Sequence, residues 1–161
     1  MKTTRIFNRV FFACPLLAAL LLTVSCDKDN DDNMNNDTTY TISGDASGAQ
    51  ENPAVTTSAT ATLTGTYNAS TNQLSYTINW TELSDAATTA HFHGPAAAGT
   101  NADVLIPLTI VTNGTAGQAT DTIIIADSTE NYLLNGNVYY NIHTLLHPNG
   151  EIRGQVVATA N

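Results

Sequence analysis

The chain has almost no cysteine and, past its first nine residues, almost no positive charge. Its two cysteines, Cys14 and Cys26, both fall in the N-terminal segment. Everything after Cys26 therefore lacks a disulfide and has to be held by a packed core. Three of the five basic residues are Lys2, Arg5 and Arg9. From Cys26 onward Lys28 and Arg153 stand against all fourteen acidic residues, a net charge of −12. So acidic a surface repels phosphate backbones and anionic headgroups, which excludes nucleic acid and a basic-patch route to membranes. Enzyme signatures are missing too: there is no Gly-x-Ser-x-Gly, no phosphate-binding glycine loop, no His-Glu-x-x-His and no late cysteine nucleophile. The one long apolar run is shorter than the roughly 18 to 20 residues that span a bilayer as a helix.

That run, Val10 to Thr23, is broken by Pro15, preceded by the three early cations and followed by Val24-Ser25-Cys26. This is the layout of a secretory signal over residues 1–25. A small residue followed by Cys resembles a bacterial lipobox, in which Cys26 is acylated and anchors the protein to a membrane. Thr23 departs from the leucine usual at its position, and plain cleavage nearby is the alternative. Residues 26–38 are nearly all Asp and Asn, without apolar periodicity, and read as an acidic disordered tether. The composition resembles the acidic export signals of surface lipoproteins, which points to the outer membrane, facing outward. An Asp directly after the lipid cysteine is an inner-membrane signal in other groups.

From residue 39 to residue 161 the texture is β, with short segments rich in Thr, Val, Ile and Tyr and turn residues about every ten positions. Strands are expected over 39–43, 58–67, 73–80, 88–93, 104–111, 119–126, 138–143 and 151–158. Leu74, Tyr76, Ile78 and Trp80 alternate with polar residues, so 58–67 and 73–80 form a hairpin with one buried face. Pro107 makes 104–111 an edge strand or a broken one. The stretch 119–126 reads as a continuous apolar strand. Asp127 to Leu134 is the one helix candidate, capped by Asp127 or Ser128 and stopped at Asn135-Gly136. Seven or eight short strands without crossover helices give an all-β fold, an antiparallel β-sandwich or small barrel.

Residues two apart on a strand face the same way. His91 pairs with His93, Asn141 with His143, and Glu151 with Arg153 and Gln155, each row backed by apolar neighbours. A His-x-His pair with a third histidine can hold zinc or copper at about 2.0–2.1 Å and leave a position open. His91, His93 and His143 are the ligands expected, with His147 or Glu51 available as a fourth. A shared ion requires the three imidazoles within about 4 Å of a common point. The alternative is that the same rings are neutral, hydrogen-bonded structural residues. Arg153 reads as a clamp, bidentate to Glu51 or Glu151, or else as the anchor of an anionic ligand. A glycan-binding surface using Trp80 and tyrosines is a further reading. Trp80, on the apolar side of its strand, is expected in the core.

Four motifs in order carry a resemblance: Glu51-Asn52-Pro53, Ala90-His91-Phe92-His93-Gly94-Pro95, Tyr140-Asn141-Ile142-His143-Thr144, and Pro148 through Gln155 as Pro-Asn-Gly-Glu-Ile-Arg-Gly-Gln. Together they resemble a CHRD (chordin) domain over nearly all of the chain after the tether. The resemblance implies an immunoglobulin-like β-barrel or sandwich related in shape to copper/zinc superoxide dismutases. It also implies an extracellular or secreted setting without an established enzymatic activity, so the expectation is a non-enzymatic binding or structural module with an unidentified protein or glycan partner. Its family-type positions here are Glu51, His91, His93, Asn141, His143, Glu151, Arg153 and Gln155. Four histidines are too few for a bimetallic dismutase centre. The strong negative charge also opposes steering of an anionic substrate, which leaves at most one copper or zinc ion.

Overall fold

A computed structural model describes residues 38–161. The expectations for the signal, for Cys26 and for the tether up to residue 37 lie outside the described residues. Among the described residues the fold is all-β, ten antiparallel strands in one strongly curled half-barrel sheet with a single short α-helix. The strands are β1 Thr39–Ser47, β2 Thr60–Asn68, β3 Gln73–Thr81, β4 Ala87–His93, β5 Val104–Pro107, β6 Ile110–Thr112, β7 Gly117–Ile124, β8 Tyr139–Thr144, β9 Ile152–Gln155 and β10 Val157–Ala160. Their spatial order is β5-β4-β8-β9-β1-β2-β3-β7-β6, and β10 pairs with β1 beside that path. No helix among the described residues is long and apolar enough to cross a membrane.

The clearest alternation in the sequence makes the most regular ladder. β2 and β3 pair from Asn68↔Gln73 to Thr60↔Thr81 without a shift. Ala61, Leu63 and Tyr67 from one strand and Leu74, Tyr76, Ile78 and Trp80 from the other enter the core. The opposite face carries hydroxyls that pair across strands, as between Ser75 and Thr122 at 2.7 Å. Burial on this scale stabilises by about 1.5–3 kcal/mol for each large apolar side chain.

Two expected strands each divide. The stretch 104–111 splits because Pro107, at the end of β5, has no N–H to continue a ladder. Leu108 instead turns inward and donates its N–H to Ala90 O, and the chain then joins β7 as β6. The stretch 151–158 divides at Val156, whose N–H leaves the ladder for Val138 O. β9 meets β1 at Ser47↔Arg153, and β10 pairs with Tyr40 to Ser43. Gly44 sits where the partner strand changes. A Cβ there would meet the Gln155 carbonyl, so no other residue lets the backbones come this close.

β7 is less buried than a continuous apolar strand would be: Ala119 is inside but Thr122 and Ile124 face out, as suits a strand next to an edge. The helix α1 spans Asp127–Leu134 and stops at Asn135 and Gly136, the latter at φ 69°. Its N-cap is Ala126, without a side-chain cap, rather than Asp127 or Ser128. Asp127 is occupied elsewhere, accepting from Asn72 Nδ2 at 3.0 Å.

Candidate metal centre and its polar surround

Register alone assembles the site. β4 and β8 pair so that His91 lies opposite Asn141, His93 opposite Tyr139 and Thr89 opposite His143. β9 adds Arg153 opposite Asn141 and Gln155 opposite Tyr139. Alternation sends Phe92, Tyr140, Ile142 and Ile152 into the core and leaves the polar set on the other face. That face is covered in turn, so every residue of β8 is buried.

One ring nitrogen from each of His91, His93 and His143 lies within 4.8 Å of the other two. Atoms this close necessarily lie within 4 Å of a common point. Two ligands on one zinc are at most about 4.1 Å apart, twice the metal–nitrogen length, so binding would draw at least one ring inward. His143 Nδ1 donates to Pro148 O at 3.0 Å, and His93 Nδ1 donates to Ala102 O at 3.0 Å. In the neutral rings each Nε2 then carries the lone pair, and a backbone carbonyl on the far nitrogen is the usual support of a metal-binding imidazole. His143 Nε2 therefore accepts from His91 Nδ1, 3.1 Å away. Asn141 Oδ1 lies 3.0 Å from His93 Nε2, and the donor and acceptor roles in that contact depend on where the ring proton sits.

Electrostatics keep two of these rings neutral. Burial lowers the pKa of His91, and the neighbouring His93 adds to it. Burial also lowers that of His143; the Pro148 carbonyl pulls it up, while His91 and His93 push it further down. Both rings are neutral near pH 7, the form that binds a metal.

Arg153 differs from its expected pairing. It is 1% exposed, and its guanidinium donates to Asn101 Oδ1 at 3.1 Å and Thr100 O at 2.7 Å rather than to Glu51 or Glu151. It lies 3.4 Å over the Tyr139 ring, which stacks on His93 at 4.8 Å and 1°. The clamp still reaches the Pro53 loop, but through the 99–101 loop: Asn101 Nδ2 donates to Asn52 O, and Asn52 Nδ2 donates to Gly99 O. Tyr139, Asn101 and Thr100 are contributors that the sequence reasoning missed. Tyr139 could have been found, being two residues from Asn141 on one face; the loop pair carries no such signal.

Glu151 is fully buried without a cation. Burial alone would raise its pKa, but it accepts from the Ser84 hydroxyl and N–H, from Thr57 and from Thr144, and these bonds hold it below the usual carboxylate value. Burial drives the Glu51 carboxyl up to about 7, against the lowering pull of Arg153, the Asn52 N–H and the Asn141 amide. Glu51 thus meets the histidines through Asn141 and is not in the three-histidine cluster, and neither is His147. His147 lies in the turn after β8, where its backbone bonds Thr144 and Gly150. Gln155 Nε2 donates to Ala96 O and Gly136 O. Trp80 is 1% exposed and its Nε1 donates to Gly114 O, so it offers no stacking platform for a glycan.

The fold and site define a curled antiparallel β domain with one three-histidine cluster roofed by loops. Residues 42–156 match the model of the CHRD domain, and the chain belongs to that family. No curated protein and no solved structure matches it.

Proposed function

We propose that this CHRD-domain protein is an exported, lipid-anchored, non-enzymatic binding module that holds one copper or zinc ion through His91, His93 and His143. The observation that carries the metal reading is the pair of backbone carbonyls, Pro148 O and Ala102 O, on the outer nitrogens of two of three clustered rings. They hold the tautomers a metal needs before any metal arrives. Imidazole ligands suit both copper and zinc. Three protein ligands leave a coordination position free, which fits capture and release of an ion or of a partner's donor atom. Anchoring rests on Cys26 and the apolar run before it, and the acidic stretch after it supports an outward-facing place on the outer membrane.

Elemental analysis of purified, dialysed protein tests the metal assignment. One equivalent of copper or zinc is expected in the wild type, and loss of it in His91→Ala, His93→Ala and His143→Ala. Substoichiometric metal that is the same in all four proteins would return the rings to a purely structural role. The anchor is tested by labelling with a palmitate analogue, expected to mark the wild type and not Cys26→Ser.

A further inference from the structure

Beside the histidines lies a separate cleft of about 420 Å³, within the size range of small-molecule sites. It opens between the loop carrying Asn52 and the loop carrying Ala98 and Gly99. The rim is exposed and mostly small, with Ala49, Ala54, Ala98 and Gly99. The floor is polar and enclosed: Glu51, 9% exposed, Arg153, 1% exposed, and half-buried Gln155.

Two oxygens on floor residues are unaccounted for, one on Gln155 and one on the side of the Glu51 carboxyl that faces Gly150. Glu51 Oε1 and Gln155 Oε1 are both buried and accept no hydrogen bond. They are the two such side-chain atoms among the described residues, and both belong to residues lining this one cleft. Leaving a buried acceptor unpaired costs about 1–3 kcal/mol each, and in native structures such groups are nearly always paired, with protein, ligand or ordered water. Gln155 cannot turn to relieve it, because its Nε2 is engaged by the Ala96 and Gly136 carbonyls. The last torsion of Glu51 is soft, so its carboxyl can swing a bare oxygen toward the cleft.

Charge narrows what could fill the need. Arg153 is fixed in place by Asn101, Thr100 and Tyr139, so a permanent cation stands in the floor and disfavours an ammonium group. The strongly acidic chain, joined above pH 7 by the ionised Glu51 carboxylate, disfavours a carboxylate or phosphate. What remains is a neutral group rich in donors, and adjacent hydroxyls supply two O–H donors at short spacing. We propose that this cleft binds a saccharide, two neighbouring hydroxyls of which donate to Glu51 and Gln155. The site is distinct from the histidine cluster and does not depend on a metal being bound there.

Calorimetric titration of the full chain with D-glucose, D-galactose, D-mannose and N-acetyl-D-glucosamine tests this. At least one sugar is expected to bind saturably. Measured above pH 7, where the Glu51 carboxyl is ionised, Glu51→Gln should weaken that binding on the order of tenfold, the value of a hydrogen bond to a charged acceptor. Ala98→Trp, a change at an exposed rim position, should abolish it by filling the cleft. Circular dichroism spectra and melting of both variants close to wild type certify that the domain is folded. Failure of all four sugars to bind, binding undiminished in folded Ala98→Trp, or saturable binding of methylammonium in their place would each overturn the proposal.

Discussion

At the scale of single residues, the three acidic and basic groups of the polar face behave in three ways, and packing rather than charge type decides which. Glu151 keeps its charge in the interior because three side chains and one backbone N–H converge on it. Replacing it with Ala strands the Thr57, Ser84 and Thr144 hydroxyls and should cost about 1–3 kcal/mol or more in urea denaturation at pH 7. An unchanged midpoint would show that water replaces the carboxylate without penalty. Arg153 is held by an amide, a carbonyl and an aromatic face, which explains why a lone arginine persists inside an acidic molecule without an opposing carboxylate in direct contact. Glu51 lies near that guanidinium yet is governed by burial. Such outcomes were beyond the sequence. It showed a row of Glu151, Arg153 and Gln155 but not Ser84, Thr57, Asn101 or Thr100, which come from loops with no periodicity to place them.

At the scale of elements, the parts that followed from the sequence are those in which one face is apolar and the other is not. The β2–β3 hairpin and the β8 row of Tyr140 and Ile142 against Asn141 and His143 belong to this kind, since a slip of one residue would invert both faces. The convergence of His91, His93 and His143 needed something more, the pairing of β4 with β8, across a gap in sequence that no local pattern spans. Where a strand changes partner, backbone approach matters more than propensity. Gly44→Ala would push a methyl into the Gln155 carbonyl at the change from β9 to β10. Overpacking of this kind should destabilise by about 1–3 kcal/mol, read as a lowered melting temperature. A melting temperature equal to wild type would mean that the strands part freely there.

At the scale of the whole molecule, proton binding links the polar face to stability. In the unfolded chain Glu51 ionises near 4.5, whereas in the fold it holds its proton to about 7. Between those values the native state binds more protons, so this group's contribution falls as pH rises through the window. Glu151 has the opposite sign: its lowered value gives stability above the ordinary carboxylate range that is lost as pH falls through the native value. His91 and His143, lowered in the fold, remove stability as pH drops below 6.5, where the unfolded rings take up protons. Glu51→Gln isolates the first effect. Its stability relative to wild type should climb from pH 4.5 to 7 and then level off in urea denaturation, and a gap that stays flat across that range would show that Glu51 does not titrate abnormally.

The same scale gives a meaning to the divided stretch between β5 and β6. These two strands are the opposite edges of the sheet path, yet only Leu108 and Thr109 separate them in the chain. Two residues reach no more than about 10 Å between flanking strand ends, so the covalent backbone ties one open edge to the other. Exposed edges are the usual templates for strand addition by a second chain and hence for aggregation. A single cut by a protease between Leu108 and Thr109 would release both edges at once, turning a curled sheet closed by its own chain into one that can grow from either side.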